Sequence, residues 1–338
     1  MARTFKVEIG TPGPASGNTE IEPWIAVWRE AAAHFGANAP PRLLVDHEPD
    51  RWYHVTIDVS DVVDVFETDL ALRNGDEVLV HERWAKREAL GEHPLGAHLL
   101  VTLAPAGGHD SEGSLHVLGR FIQHWFLAMN LALPGCCTTF RPRLPLEADP
   151  DPLPPDLSGS FLENAYEHSL KRGWPQLRQL PLLQMWDWLQ AELLYDTHIA
   201  KDPLDRALFT VLRVCEPELQ DTDRILLIAQ ALEGLLSPGK EQVGNLLRQR
   251  LEVVLGPAPG KKNWFARFYD LRSRIAHGDY PLLRPGQFVG RDLPPVGEYT
   301  ATFWEPTDQA TAVLLALLQD LAAANVRQYS FEQIVHRS

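Results

Sequence analysis

The sequence predicts an α+β N-terminal domain, residues 1–145, then a Pro-rich linker and connecting segment, 146–180, and an all-α helical bundle, 181–338. Three observations carry this. The first part mixes apolar runs of period two with runs of period 3.6, the marks of strands and of helices. From Pro142 to Pro155 prolines recur so densely that neither a helix nor a central strand can pass, since each removes a backbone N–H and fixes φ. Beyond that stretch almost every apolar run has helical spacing.

Met1 to Glu8 lacks the apolar core of a secretion signal and reads as the start of a strand. Trp24 to Phe35 has helical spacing. Trp52 to Val59 alternates and is rich in β-branched and aromatic residues, which predicts a half-buried strand. Glu77 to Glu82 and His98 to Leu103 resemble it and are read as strands, the former introduced by an Asn74-Gly75 turn. Ser114 to Leu131 predicts a second helix.

After the prolines, Leu182 to Leu194 is one amphipathic helix, and Asp205 to Cys215 is another, ended by Glu216-Pro217. A third starts at Asp221-Thr222-Asp223, which supplies capping oxygens, and runs to the break at Ser237-Pro238-Gly239. Glu241 to Leu255 is stopped by Gly256-Pro257, and Lys262 to His277 by Gly278, placed to end the helix in a left-handed conformation. Pro281 to Gly297 reads as irregular, and Pro306 to Asn325 as the last helix. Antiparallel helices joined by short breaks make a bundle.

With 45% hydrophobic and 22% charged residues the chain can bury an ordinary core. Its longest apolar runs, such as Val313 to Leu318, fall well short of the ~20 residues that cross a bilayer, so no membrane partner is expected. Cys136, Cys137 and Cys215 are odd in number and two are adjacent, which gives neither a disulfide framework nor a CxxC metal half-site. A reducing, cytoplasmic compartment is expected. No phosphate-binding GxxxxGK[ST] loop, GxGxxG turn or GxSxG elbow occurs. Asp46-His47-Glu48 and His81-Glu82 lack a recognised metal-ligand spacing, so neither metal nor cofactor is expected.

The net charge of −14 argues against indiscriminate coating of nucleic acid. Between Lys240 and Arg274, however, eight basic residues face three acidic ones, a local +5 that is either a basic face or two solvated helix faces. Around this window the order Ala231-Leu232-Glu233-Gly234-Leu235-Leu236, a basic helix, and Tyr269-Asp270-Leu271-Arg272-Ser273-Arg274-Ile275-Ala276-His277-Gly278 resembles the HEPN superfamily and, within it, the ApeA-like group. That signature is an Arg, usually a polar residue, and a His after four to six intervening positions, matched here by Arg272, Ser273 and His277. The likeness covers roughly residues 180–325.

The resemblance implies a helical domain that dimerises and often cleaves RNA in prokaryotic defence or toxin systems, or serves as a nuclease-dead RNA-binding and dimerisation module. RNA is then the implied partner, with a second copy of the chain, and Arg272 and His277 are the implied catalytic pair. Their chemistry is adequate without a metal. RNA supplies its own nucleophile, the 2′-hydroxyl; His277 can move a proton near neutral pH, and the guanidinium fork of Arg272 suits phosphate oxygens. Glu233, costly on an apolar helix unless paired, either orients Arg272 or His277 or forms an ordinary ion pair. Ser273 binds phosphate or its own backbone; Arg274, Arg267, Lys261 and Lys262 follow the RNA backbone or sit on solvated faces. Tyr269 and Trp264 stack on bases or belong to the core.

One geometric condition attaches to the pair. Five residues at about 100° each leave Arg272 and His277 about 140° apart on a straight helix, so a shared phosphate requires a helix that ends early, a partner subunit, or both.

Overall fold

The computed structural model describes residues 2–10, 21–36, 42–45, 52–89, 96–106, 114–140, 156–192, 198–219, 221–236, 243–259, 264–281 and 294–331. The chain divides into two compact units, residues 1–160 with 178–198, and residues 161–177 with 199–338.

The first unit is built on an antiparallel sheet of order β2-β3-β4-β1-β5, with β1 Arg3–Gly10, β2 Arg42–Val45, β3 Trp52–Asp58, β4 Ala97–Ala106 and β5 Thr138–Thr139. Alternation fixes the register. Phe5 stands opposite Val101, and Val101 opposite Ile57, so the apolar residues of three strands share one buried face. On the other face the hydroxyls of Thr4 and Thr102 meet at 2.9 Å. Helices α1 (Glu22–Phe35), α2 (Ser60–Arg73), α3 (Glu77–Ala89) and α4 (Ser114–Ala132) complete the described part that precedes the prolines.

One expectation changes here. Glu77–Glu82 is not a strand but the first turns of α3, while the Asn74-Gly75 turn is present and joins two helices. Gly75, at φ 78°, ends α2: its N–H bonds Leu72 O at 3.1 Å and the Asp76 N–H bonds Ala71 O at 2.9 Å. The Asp76 carboxylate then accepts from Leu79 N at 3.2 Å and starts the next helix. Six residues with an apolar centre do not distinguish a strand from a helix start, whereas this pair of caps does.

Helix α5 (Ser160–Arg172) belongs, from Phe161 on, to the second unit, and α6 (Leu182–Glu192) to the first. This differs from the expected boundaries, which put α5 in the linker and α6 in the bundle. The reason is packing. Trp186 of α6 lies 4.9 Å from Phe35, 5.8 Å from Phe121 and 6.3 Å from Trp125, completing an aromatic core with α1 and α4. An amphipathic pattern shows that a face must be buried, not against which partner. Residues 141–155 lie outside the described residues.

The second unit contains α5, α7 (Pro203–Val214), α8 (Asp221–Leu236), α9 (Val243–Leu255), α10 (Trp264–His277) and α11 (Pro294–Ala324). α8 packs against α7, α9, α10 and α11, and its Ile225, Ile228, Leu232 and Leu235 are buried at helical spacing. Asp202 caps α7, accepting from Asp205 N at 2.9 Å. The last helix starts earlier than expected, at Pro294, and passes through Pro306. A proline removes one rung of the hydrogen-bond ladder. Here Phe303, Ala310 and the run Ala312–Leu318 are all buried, and that burial outweighs the loss. Among the described residues no helix is long and apolar enough to cross a membrane.

Candidate active site

The sequence of α10 decides which of its side chains can work. Trp264, Phe265, Phe268 and Leu271 form its buried stripe, and Trp264 lies 5.5 Å from Trp174 while Phe265 and Phe268 flank Tyr269. Trp264 is therefore core rather than a base platform. Opposite the stripe, Ala266, Asp270 and His277 face solvent, and Arg272 stands at the border toward α8.

At that border Arg272 meets Glu233 of α8, Nη2 to Oε1 at 3.5 Å, and the Tyr269 hydroxyl donates to the same Oε1 at 3.1 Å. The carboxylate on the apolar helix is thus paired twice. Burial and the adjacent Glu233 charge push the Tyr269 phenol well above its ordinary pKa, so it remains a hydrogen-bond donor. Arg272 keeps 35% of its side chain exposed, and 3.5 Å is an ion pair without a tight hydrogen bond. Its remaining donors stay available to an incoming phosphate.

His277 is the last residue of α10. Gly278, at φ 77°, donates to Ile275 O at 3.1 Å, and Asp279 N donates to Arg274 O at 2.8 Å, the paired bonds of a left-handed helix end. The helix therefore runs through to His277, and the ending does not swing it toward Arg272. His277 is exposed, and among the described residues it makes no hydrogen bond or ion pair. About 140° and ~7.5 Å of rise separate it from Arg272. Its nearer basic neighbour is Arg274, one turn earlier and about 60° round the helix.

The other candidate residues separate into groups. Arg274 is exposed, its guanidinium 5.3 Å from the centre of the Tyr280 ring. Arg267 Nη1 binds Glu305 Oε2 of α11 at 2.8 Å, and Arg172 of α5 binds the other oxygen of the same carboxylate. The two guanidinium groups hold the Glu305 carboxyl below the usual carboxylate range. Arg267 is thus tied away from the Arg272 border. Ser273 is half-buried on α10. Lys261 and Lys262 lie outside the described residues. Glu305 and Arg172 carry no sequence signal, because 133 residues separate the partners.

Asp46-His47-Glu48 lies outside the described residues, while the His81 ring bonds Glu77 O one turn away on α3 at 3.0 Å. Among the described residues no group of three or more His, Cys, Asp or Glu side chains stands close enough together to hold a metal ion. Burial raises the thiols of Cys136, Cys137 and Cys215 far above neutrality, which keeps them protonated and poorly nucleophilic. Compared with protein-family models, with curated protein sequences and with solved structures, the chain matches none.

Proposed function

We propose that this chain is a metal-independent endoribonuclease of the HEPN type, working in the cytoplasm as a homodimer and as a regulated effector in prokaryotic defence or toxin-type systems. One observation carries the reading. Arg272 is aimed by Glu233 without being captured, and His277 is presented to solvent at the end of the same helix. A guanidinium for phosphate charge and an imidazole for proton transfer are the parts that 2′-hydroxyl attack needs. In the homodimer, two copies of α10 face one cleft. His277 of one protomer takes the 2′-hydroxyl proton, His277 of the partner subunit protonates the leaving 5′-oxygen, and Arg272 neutralises the phosphate. The first unit serves as the sensor or target-binding part.

The wide separation of Arg272 and His277 on one helix favours a second reading, an inactive module that binds RNA and dimerises. Incubating the full chain with RNA, and with DNA of the same sequence, in excess EDTA separates the two. The enzyme cleaves RNA and spares DNA, which lacks the 2′-hydroxyl; binding of RNA without turnover supports the module. Sedimentation at micromolar concentration is expected to give a dimer, and a monomer under conditions of full turnover would overturn the composite cleft.

A further inference from the structure

We propose that Tyr280, Tyr299 and Arg274 form a nucleotide subsite beside His277 that holds the base next to the cleaved phosphate; this rests on the ribonuclease reading. The observation that points to a ligand is an orphan. Tyr280 is only 7% exposed, and its hydroxyl is buried with no hydrogen-bond partner among the described residues. A buried polar group left unsatisfied costs about 1–3 kcal/mol, so a phenol there without purpose is disfavoured against phenylalanine of the same shape.

Its position suits a base. Tyr280 follows His277 by three residues across the helix end, and Arg274 precedes His277 by one turn. The exposed guanidinium of Arg274 covers the Tyr280 ring at 5.3 Å and is the part of this lining that can swing aside. Tyr299 of α11, half-buried, lies 5.4 Å from Tyr280 and is held parallel to Phe303, 6.1 Å away. A planar ligand with an edge acceptor and an attached phosphate uses all three groups. It stacks on Tyr299, accepts from the Tyr280 hydroxyl, and gives its phosphate to Arg274. A free phosphate would use only Arg274, and a cationic ligand would be repelled by it.

The test is Tyr280→Phe in the full chain, which keeps the ring and removes the orphan oxygen. The binding probe is a short 2′-fluoro oligoribonucleotide, which cannot undergo 2′-hydroxyl attack. The variant is expected to melt at the same temperature as wild type or higher, yet to bind the probe about 5- to 10-fold more weakly, the worth of one well-placed hydrogen bond. An abasic version of the probe is expected to bind both proteins equally, and Tyr299→Leu to weaken only the base-containing one. Equal affinity of wild type and Tyr280→Phe for the intact probe overturns the subsite while leaving the ribonuclease reading in place, as does an equal loss on the abasic probe. If wild type neither binds the probe nor cleaves RNA, the ribonuclease reading falls and the subsite with it.

Discussion

Removing the Arg272 side chain is expected to cost the fold little. Its pairing with Glu233 is partly exposed and lacks a tight hydrogen bond, and such pairs contribute about 0–1 kcal/mol. His277 is exposed without a partner among the described residues, so His277→Ala belongs with surface changes worth within about 0.5 kcal/mol. Both variants should therefore melt close to wild type. Turnover of RNA is where they should differ from it, because losing a general acid or base costs about 10²- to 10⁴-fold and losing a donor that stabilises transition-state charge about 10²- to 10³-fold. Unfolding curves and initial rates on the same preparations check this pair of outcomes; large destabilisation with a proportionate rate loss would mean that the residues are structural. Glu233→Gln keeps an acceptor for Tyr269 but removes the charge that aims Arg272. It is expected to alter the RNA concentration needed for half-maximal rate more than the rate at saturation.

At the scale of the helix, α10 depends on how it stops. Gly278 sits at φ 77°, where a Cβ is strained although open space surrounds it. Gly278→Ala is expected to lose about 1 kcal/mol in urea unfolding and to reduce turnover further by misaiming His277. Undiminished turnover with the stability loss would show that the helix end does not position the imidazole. This end was legible in the sequence, because glycine after a run of helical spacing has one common use. The Asn74-Gly75 turn is legible too, but not what it joins: the pair is equally good hairpin chemistry, and only the cap from Asp76 distinguishes the two uses. Gln184-Met185-Trp186 announces a helix but not its partner, which is the aromatic core of α1 and α4. Within the candidate site, Arg272, Glu233 and His277 were legible as residue types in order. The pairing of Tyr269 with Glu233 and of Arg267 with Glu305 was not, because both depend on how separate helices pack.

The whole molecule carries a pH signature with opposite signs in its two units. In the first unit, burial lowers His124 from its ordinary 6.5 to about 4. The neutral imidazole is the form that fits, so stability contributed at neutral pH is lost as pH falls from about 6.5 through 4. In the second unit, burial raises Asp308 of α11 from 3.8 to about 7, opposed by Lys171. Its folded state binds the proton more tightly than the unfolded chain. Stability is therefore fully present below about pH 4 and is lost as pH rises through 7. Both groups act between about pH 4 and 7 with opposite slopes, so Asp308→Asn is expected to make stability rise more steeply with pH across that window, and His124→Gln to make it rise less. A curve in which Asp308→Asn leaves the change between pH 5 and 8 untouched would remove Asp308 from this role. For the chain as an enzyme, the most direct measurement is the chemistry of the ends it leaves on RNA in excess EDTA. Attack by the 2′-hydroxyl, with His277 moving the proton, gives 2′,3′-cyclic phosphates and 5′-hydroxyls from wild type and almost nothing from His277→Ala. Fragments bearing 5′-phosphates and 3′-hydroxyls, or undiminished cleavage by His277→Ala, would contradict it.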